Sequence, residues 1–165
     1  MRKKSIRQIT EHIVADFVER LGLIAQAEGM PRIAGRIMGL FVMHGGPFSF
    51  SELAERLKVS RGSISTNTRL LEQLGVIERM AKPGNRQNYF HIQETPYTHM
   101  LTNSIGRLHH AHMVVTKTID AIPHSWVDAR ERLEDLSHFY GENIVSMEDL
   151  IQRLSPRKNK AGRTR

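Results

Sequence analysis

Apolar residues recur along the first half of this chain with two different periods. Between residues 5 and 28, Ile6, Ile9, Ile13, Phe17, Leu21 and Ile24 are spaced by three and four, the period of a helix with one buried face. Gly29 predicts its end. Pro31 suits the first turn of a second helix with Ile33, Ile37, Leu40 and Phe41 on one side, and His44-Gly45-Gly46-Pro47 breaks that helix. Ser49-Phe50-Ser51-Glu52 has the S-x-x-E spacing of a capping box and predicts a short helix with Leu53, Ala54 and Leu57 inside. Val59-Ser60 predicts a tight turn. Ser60 then caps a helix running from Arg61 to Leu74, which Gly75 ends. Val76–Met80 and Asn88–Ile92 have strand character and predict a hairpin around the turn Lys82–Arg86.

The second half is helical in pattern. From Tyr97 to Ile119, the inner positions Leu101, Ile105, Leu108, His112, Val115 and Ile119 are spaced 4, 3, 4, 3 and 4, the repeat of a helix that packs along a partner. Pro123 breaks it. Trp126, Ala129, Leu133, Leu136 and Tyr140 stripe another helix, which is expected to stop at Gly141. Ser146 with Asp149 is expected to cap a last short helix carrying Leu150, Ile151 and Leu154. From Pro156 on, a basic polar tail has no means of burying surface.

A capped helix, a tight turn, a second capped helix and a two-stranded wing, in that order, are the elements of a winged helix-turn-helix. The expected fold is mainly α with a small β-hairpin wing. Residues 1–29 form an N-terminal dimerisation helix with a basic start and residues 30–95 the DNA-binding domain. Residues 96–155 form C-terminal dimerisation helices and residues 156–165 a basic tail. In the helix from Arg61, placing Ile64, Leu71 and Leu74 inward leaves Gly62, Ser65, Thr66, Arg69 and Gln73 outward on one face. Small hydroxyl side chains can sit deep in a groove and contact phosphates or base edges, and Arg can pair with guanine. Arg61 and Ser63 lie at the N-terminal end, where the helix dipole favours phosphate. Lys82, Asn85 and Arg86 place two cations and an amide at a hairpin tip, suited to a narrow minor groove. The DNA-contacting set is therefore Arg61, Ser63, Ser65, Thr66, Arg69, Lys82, Asn85 and Arg86. The self-association set is Ile6, Ile9, Ile13, Leu101, Ile105, Leu108, His112 and Val115. A winged-helix assembly module, or a nucleoid-type binder without sequence preference, would use the same elements differently.

Charge sharpens this picture. The 165 residues carry a net +7. Four positive charges sit at Arg2, Lys3, Lys4 and Arg7, and five at Arg157, Lys158, Lys160, Arg163 and Arg165, which leaves the body at about −2. The basic ends suit a polyanionic partner. With no cysteine, a disulfide scaffold, thiolate-bound zinc and thiol catalysis are excluded. The basic start leads into an amphipathic pattern, unlike a secretory signal, and no apolar run reaches the roughly 20 residues of a membrane span. A cytoplasmic protein without membrane association is expected.

The run Leu53-Ala54-Glu55-Arg56-Leu57-Lys58-Val59-Ser60-Arg61-Gly62-Ser63-Ile64-Ser65-Thr66-Asn67, continuing through Leu70 to Arg79, resembles the multiple-antibiotic-resistance-regulator (MarR) family. It is most similar to the branch named for the glycine-betaine synthesis regulator (GbsR). Gly29-Met30-Pro31-Arg32-Ile33-Ala34-Gly35-Arg36 and the wing Pro83-Gly84-Asn85-Arg86-Gln87-Asn88-Tyr89 carry the same resemblance. It implies a homodimer joined by its outer helices, bound to a pseudo-palindromic double-stranded operator as a repressor released by a small-molecule effector. The family's recognition contacts fall on Ser63, Ser65, Thr66 and Arg69, and its wing arginine on Arg86. Asn85 departs from the family, which usually has an acid near the wing cation.

His109 and His112 are one helical turn apart, a spacing that suits a metal. No acid or thiol nearby in sequence completes a site, so a seam histidine is the expected role of His112. Phe17, Phe41, Tyr97, Trp126 and Tyr140 are spaced as core residues and do not predict an aromatic ligand box. No G-x-S-x-G, P-loop or paired-carboxylate pattern is present, so no catalytic residue, metal or cofactor is expected.

Overall fold

Each predicted stop becomes an element boundary in the first ninety residues. A computed structural model describes residues 2–81 and 87–155, with side chains from residue 8 on. The elements are α1 (Arg2–Ala27), α2 (Arg32–His44), β1 (Phe48–Ser49), α3 (Phe50–Leu57), α4 (Arg61–Gln73), β2 (Ile77–Ala81), β3 (Asn88–Ile92), α5 (Pro96–Ala121) and α6 (Val127–Leu154). They divide into two compact units, residues 1–96 and 97–165.

In the first unit, α1 lies close against α2 because small residues line the crossing. A Cβ on Gly35 would come within 2.5 Å of the Ala25 Cβ and 2.6 Å of the Leu21 carbonyl oxygen. Ala34, Ile37 and Phe41 of α2, Leu53 of α3, Ile64 and Leu71 of α4 and Phe90 of β3 are fully buried and form the core. The Phe41 ring meets Phe48 edge-on at 5.4 Å, and Phe50 meets Phe90 at 4.9 Å. Gly75, at φ +74°, donates its N–H to the Glu72 carbonyl and turns the chain from α4 into β2.

The sheet has three antiparallel strands in the order β1-β3-β2, where the sequence predicts two. Phe48 pairs with Phe90 and Glu78 with His91. The added strand β1 is two residues long, too short to show a period, and it leads directly into the capping box.

The second unit is a hairpin of α5 and α6, tied near its turn by Arg130 Nη2 donating to the Ile122 carbonyl at 3.2 Å. His112 Nε2 and Ser137 Oγ are 2.9 Å apart, and His109 Nε2 lies 3.8 Å from Glu148 Oε1. The expected break at Gly141 and restart at Ser146 are not found: α6 is one helix of 28 residues. A helix-interior glycine costs about 1 kcal/mol relative to alanine, which weakens a long helix without ending it. Ser146 is an exposed residue of that helix.

Candidate DNA interface

Two capped helices build the reading surface. Ser49 Oγ accepts the Glu52 N–H at 3.3 Å, and the Glu52 carboxylate accepts the Ser49 N–H at 2.6 Å, so the capping box closes in both directions. Helix α3 ends at Lys58, whose left-handed backbone (φ 53°) reverses the chain. Ser60 Oγ then accepts the Ser63 N–H at 3.2 Å and starts α4. The turn between α3 and α4 therefore has a defined geometry, as a helix-turn-helix requires.

On α4, Gly62, Thr66, Arg69 and Gln73 are exposed and Ser63 and Ser65 are half-buried, so the face assigned from sequence exists. Arg69 has no ion-pair partner among the described residues. Arg61 Nη2 donates to Ser51 Oγ at 2.8 Å, which aims the guanidinium across the start of α3. Thr66 Oγ1 donates back to the Gly62 carbonyl at 3.2 Å, leaving its lone pairs outward. Glu72, at the edge of the face, is paired with Arg79 of β2 at 3.1 Å. A cleft of about 360 Å³ opens between α4 and the near end of β3, lined by Phe50, Ser51, Arg61, Ser65, Gln87 and Asn88. Hydroxyl, amide and guanidinium groups in one concave strip suit a sugar–phosphate backbone.

Lys82, Asn85 and Arg86 lie outside the described residues, as does the side chain of Ile6. Of the remaining self-association set, Ile9 and Ile13 are exposed on α1, Leu101, Leu108 and His112 are half-buried, and Ile105 and Val115 are buried within the chain. Trp126, Val127, Phe139 and Val145 are exposed on or beside α6 and were not in that set. Val127, Phe139 and Val145 fall off the stripe that the periodicity predicts, whereas Trp126 begins that stripe and is nevertheless exposed, because it precedes the first turn of α6.

Two α4 residues were also missed. Asn67 and Thr68 are buried. Asn67 Nδ2 donates to the Ser63 carbonyl at 2.7 Å, and Thr68 Oγ1 approaches the Ile64 and Ser65 carbonyls at 2.9 and 3.2 Å. Both fall on the helical period that joins Ile64 to Leu71, which was the available signal. Among the described residues no group of three His, Cys, Asp or Glu could hold a metal, and no helix is long and apolar enough to cross a membrane.

The sequence profile of the MarR family matches residues 28–87. The HTH-type transcriptional regulator MmpR5 of Mycobacterium tuberculosis is 32% identical over 147 residues, which cover 87% of this chain and 88% of the relative. The HTH-type transcriptional repressor OpcR of Bacillus subtilis is 26% identical over 95 residues, 58% of this chain and 51% of OpcR. A crystal structure described as a transcriptional regulator superposes with a TM-score of 0.76 at 28% identity, covering 87% of this chain and 99% of its own. The relatives are regulators, not enzymes. With its capped helix-turn-helix and its antiparallel sheet, the chain belongs to the MarR family of winged-helix transcriptional regulators, proteins that bind DNA to control transcription.

Proposed function

We propose that this regulator acts in the cytoplasm as a homodimeric, effector-released repressor of the GbsR branch. Its two copies of α4 enter successive major grooves of a pseudo-palindromic operator, about 34–36 Å apart. Ser63, Ser65, Thr66 and Arg69 discriminate bases. Arg61, Lys82, Asn85, Arg86 and the basic ends attract phosphate and the flanking minor groove. The second copy packs on the exposed apolar residues of α1, α5 and α6. Ile105 and Val115 support the α5–α6 hairpin from inside the chain. The observation that carries this reading is Arg69, without an ion-pair partner among the described residues, standing among small hydroxyl residues on an α4 fixed by the Ser60 cap at its start.

Selection of duplexes from a random pool, followed by a salt titration, tests it. The expected result is a motif with two half-sites about one helical turn apart. Arg69→Ala should relax base choice at one position per half-site, by about 1–3 kcal/mol. Removing residues 1–7 and 157–165 should weaken all duplexes equally and flatten the salt dependence. A pool that returns no motif, with affinity abolished by loss of the ends, would instead identify a binder without sequence preference.

A further inference from the structure

Arg36 of α2 is a largely buried guanidinium, its side chain 19% exposed, that takes no part in the DNA face. Its Nη2 donates to the Leu57 carbonyl at 2.9 Å. Leu57 is the last residue of α3, where carbonyls lack helical partners and the helix dipole presents its negative end. Arg36 Nε lies 2.6 Å from Glu19 Oε1 of α1, at an angle that makes this an ion pair without an aligned hydrogen bond. Glu19 Oε2 also meets Arg32 Nη2 at 2.9 Å. One residue therefore joins α1 and α2 to the end of α3.

The next residue is Lys58. It is the only non-glycine residue with positive φ among those described, a conformation that a side-chain-bearing residue adopts at a steric cost. Its N–H and that of Val59 return to the Ala54 and Glu55 carbonyls. The direction in which α4 leaves α3 is set at this strained reversal, and Arg36 holds the carbonyl immediately before it. Lysine could not replace it, because an ammonium lacks the fork that reaches a carbonyl and a carboxylate together.

We infer that Arg36, oriented by Glu19, is a positioning residue for DNA reading: it fixes the turn that aims α4 from behind, without touching DNA. The inference rests on the reading of α4 as the base-discriminating helix. It also gives α1 a physical connection to the reading head that does not pass through the apolar core.

The test compares the parent with Arg36→Met, Arg36→Lys and Glu19→Gln. Each is titrated against the duplex recovered by the parent from a random pool and against a scrambled duplex of equal length. Arg36→Met should bind the recovered duplex about tenfold more weakly, with scrambled-duplex affinity and salt slope unchanged, because phosphate contacts are intact. Arg36→Lys and Glu19→Gln should show smaller losses of the same kind. Independently of DNA, amide hydrogen exchange at Lys58 and Val59 should accelerate in Arg36→Met while Ile37 and Phe41 keep the parent's rates. Should Arg36→Met not fold, Glu19→Gln carries both measurements. Unchanged preference with unchanged exchange at the turn overturns the inference and leaves the α4 reading standing, as does a loss explained by the salt slope. A parent that recovers no preferred duplex overturns the α4 reading and the inference with it.

Discussion

The two units of this chain solve the problem of burying apolar surface to different degrees. In residues 1–96, seven core residues on α2, α3, α4 and β3, Phe41 and Phe90 among them, are shielded completely. In the α5–α6 hairpin the best-buried side chains, Ile144, Val115 and Ile105, retain 6 to 9% exposure, while Phe139 is 56% and Val145 61% exposed. Large apolar groups standing free on long helices are where the proposed second copy would pack. The centre of the first unit is closed by its own chain, whereas the hairpin, like the outer face of α1 with Ile9 and Ile13, leaves large apolar groups in the open. That contrast is what supports self-association through the outer helices.

The largest effect expected from breaking the contrast belongs to the closed unit. Phe90→Ala removes a fully buried ring that touches Phe50 and lies under the Arg79 guanidinium, and should cost about 3–5 kcal/mol in urea denaturation, whatever the protein concentration. Phe139→Glu should do the opposite. It leaves the reading unit intact, and its effect should appear as dissociation in sedimentation velocity and as a concentration-dependent melting temperature. A Phe139→Glu protein that sediments like the parent would remove α6 from the interface.

The next effect lies at the crossing of α1 and α2. Gly35→Ala gains helix propensity of up to about 1 kcal/mol but drives a methyl into the Ala25 side chain and the Leu21 carbonyl, and backbone cannot step aside cheaply. The net expectation is a loss of about 1–2 kcal/mol by thermal unfolding. A neutral result would show that the two helices can separate. Ser49→Ala follows at about 1 kcal/mol, since it opens the capping box of α3 at a buried position.

The same contrast explains how much of the fold is legible in the sequence. Local signals were sufficient where a short segment decides its own structure. Ser49 with Glu52, Ser60, Gly45 and Gly75 mark the ends of α2, α3 and α4 by capping chemistry within four residues of themselves. The outward set on α4 followed from the positions of Ile64 and Leu71 alone. Legibility failed where the deciding partner is distant. The two residues of β1 are a strand only because β3, some forty residues later, pairs with them. Gly141 alone does not decide whether α6 continues, because an interior glycine weakens a helix by only about 1 kcal/mol. Arg36 reads as one more charge on an amphipathic helix until the end of α3 is seen beside it. The hairpin's apolar pattern predicts an evenly spaced seam, yet Ile105 and Val115 are consumed inside the chain and the exposed residues follow no single period.

The smallest expected effect is the most pointed test of which α5 face is covered. Gly106 lies inside α5, and among the described residues no heavy atom beyond its chain neighbours and the adjoining helix backbone comes within 4 Å of where its Cβ would stand. In open space, Gly106→Ala should raise stability by up to about 1 kcal/mol, through helix propensity and a less flexible unfolded chain. That corresponds to about 2–4 °C in melting temperature for a chain of this size. The residue neighbours Ile105, so it borders the stripe assigned to self-association without belonging to it. A second copy packed closely over this position would meet the added methyl and reverse the sign, and the loss would grow with protein concentration as more chains associate. A gain independent of concentration therefore confines the interface to the exposed residues of α1 and α6 and to the other side of α5. A loss that deepens with concentration places a partner helix directly over Gly106, where only glycine admits so close an approach.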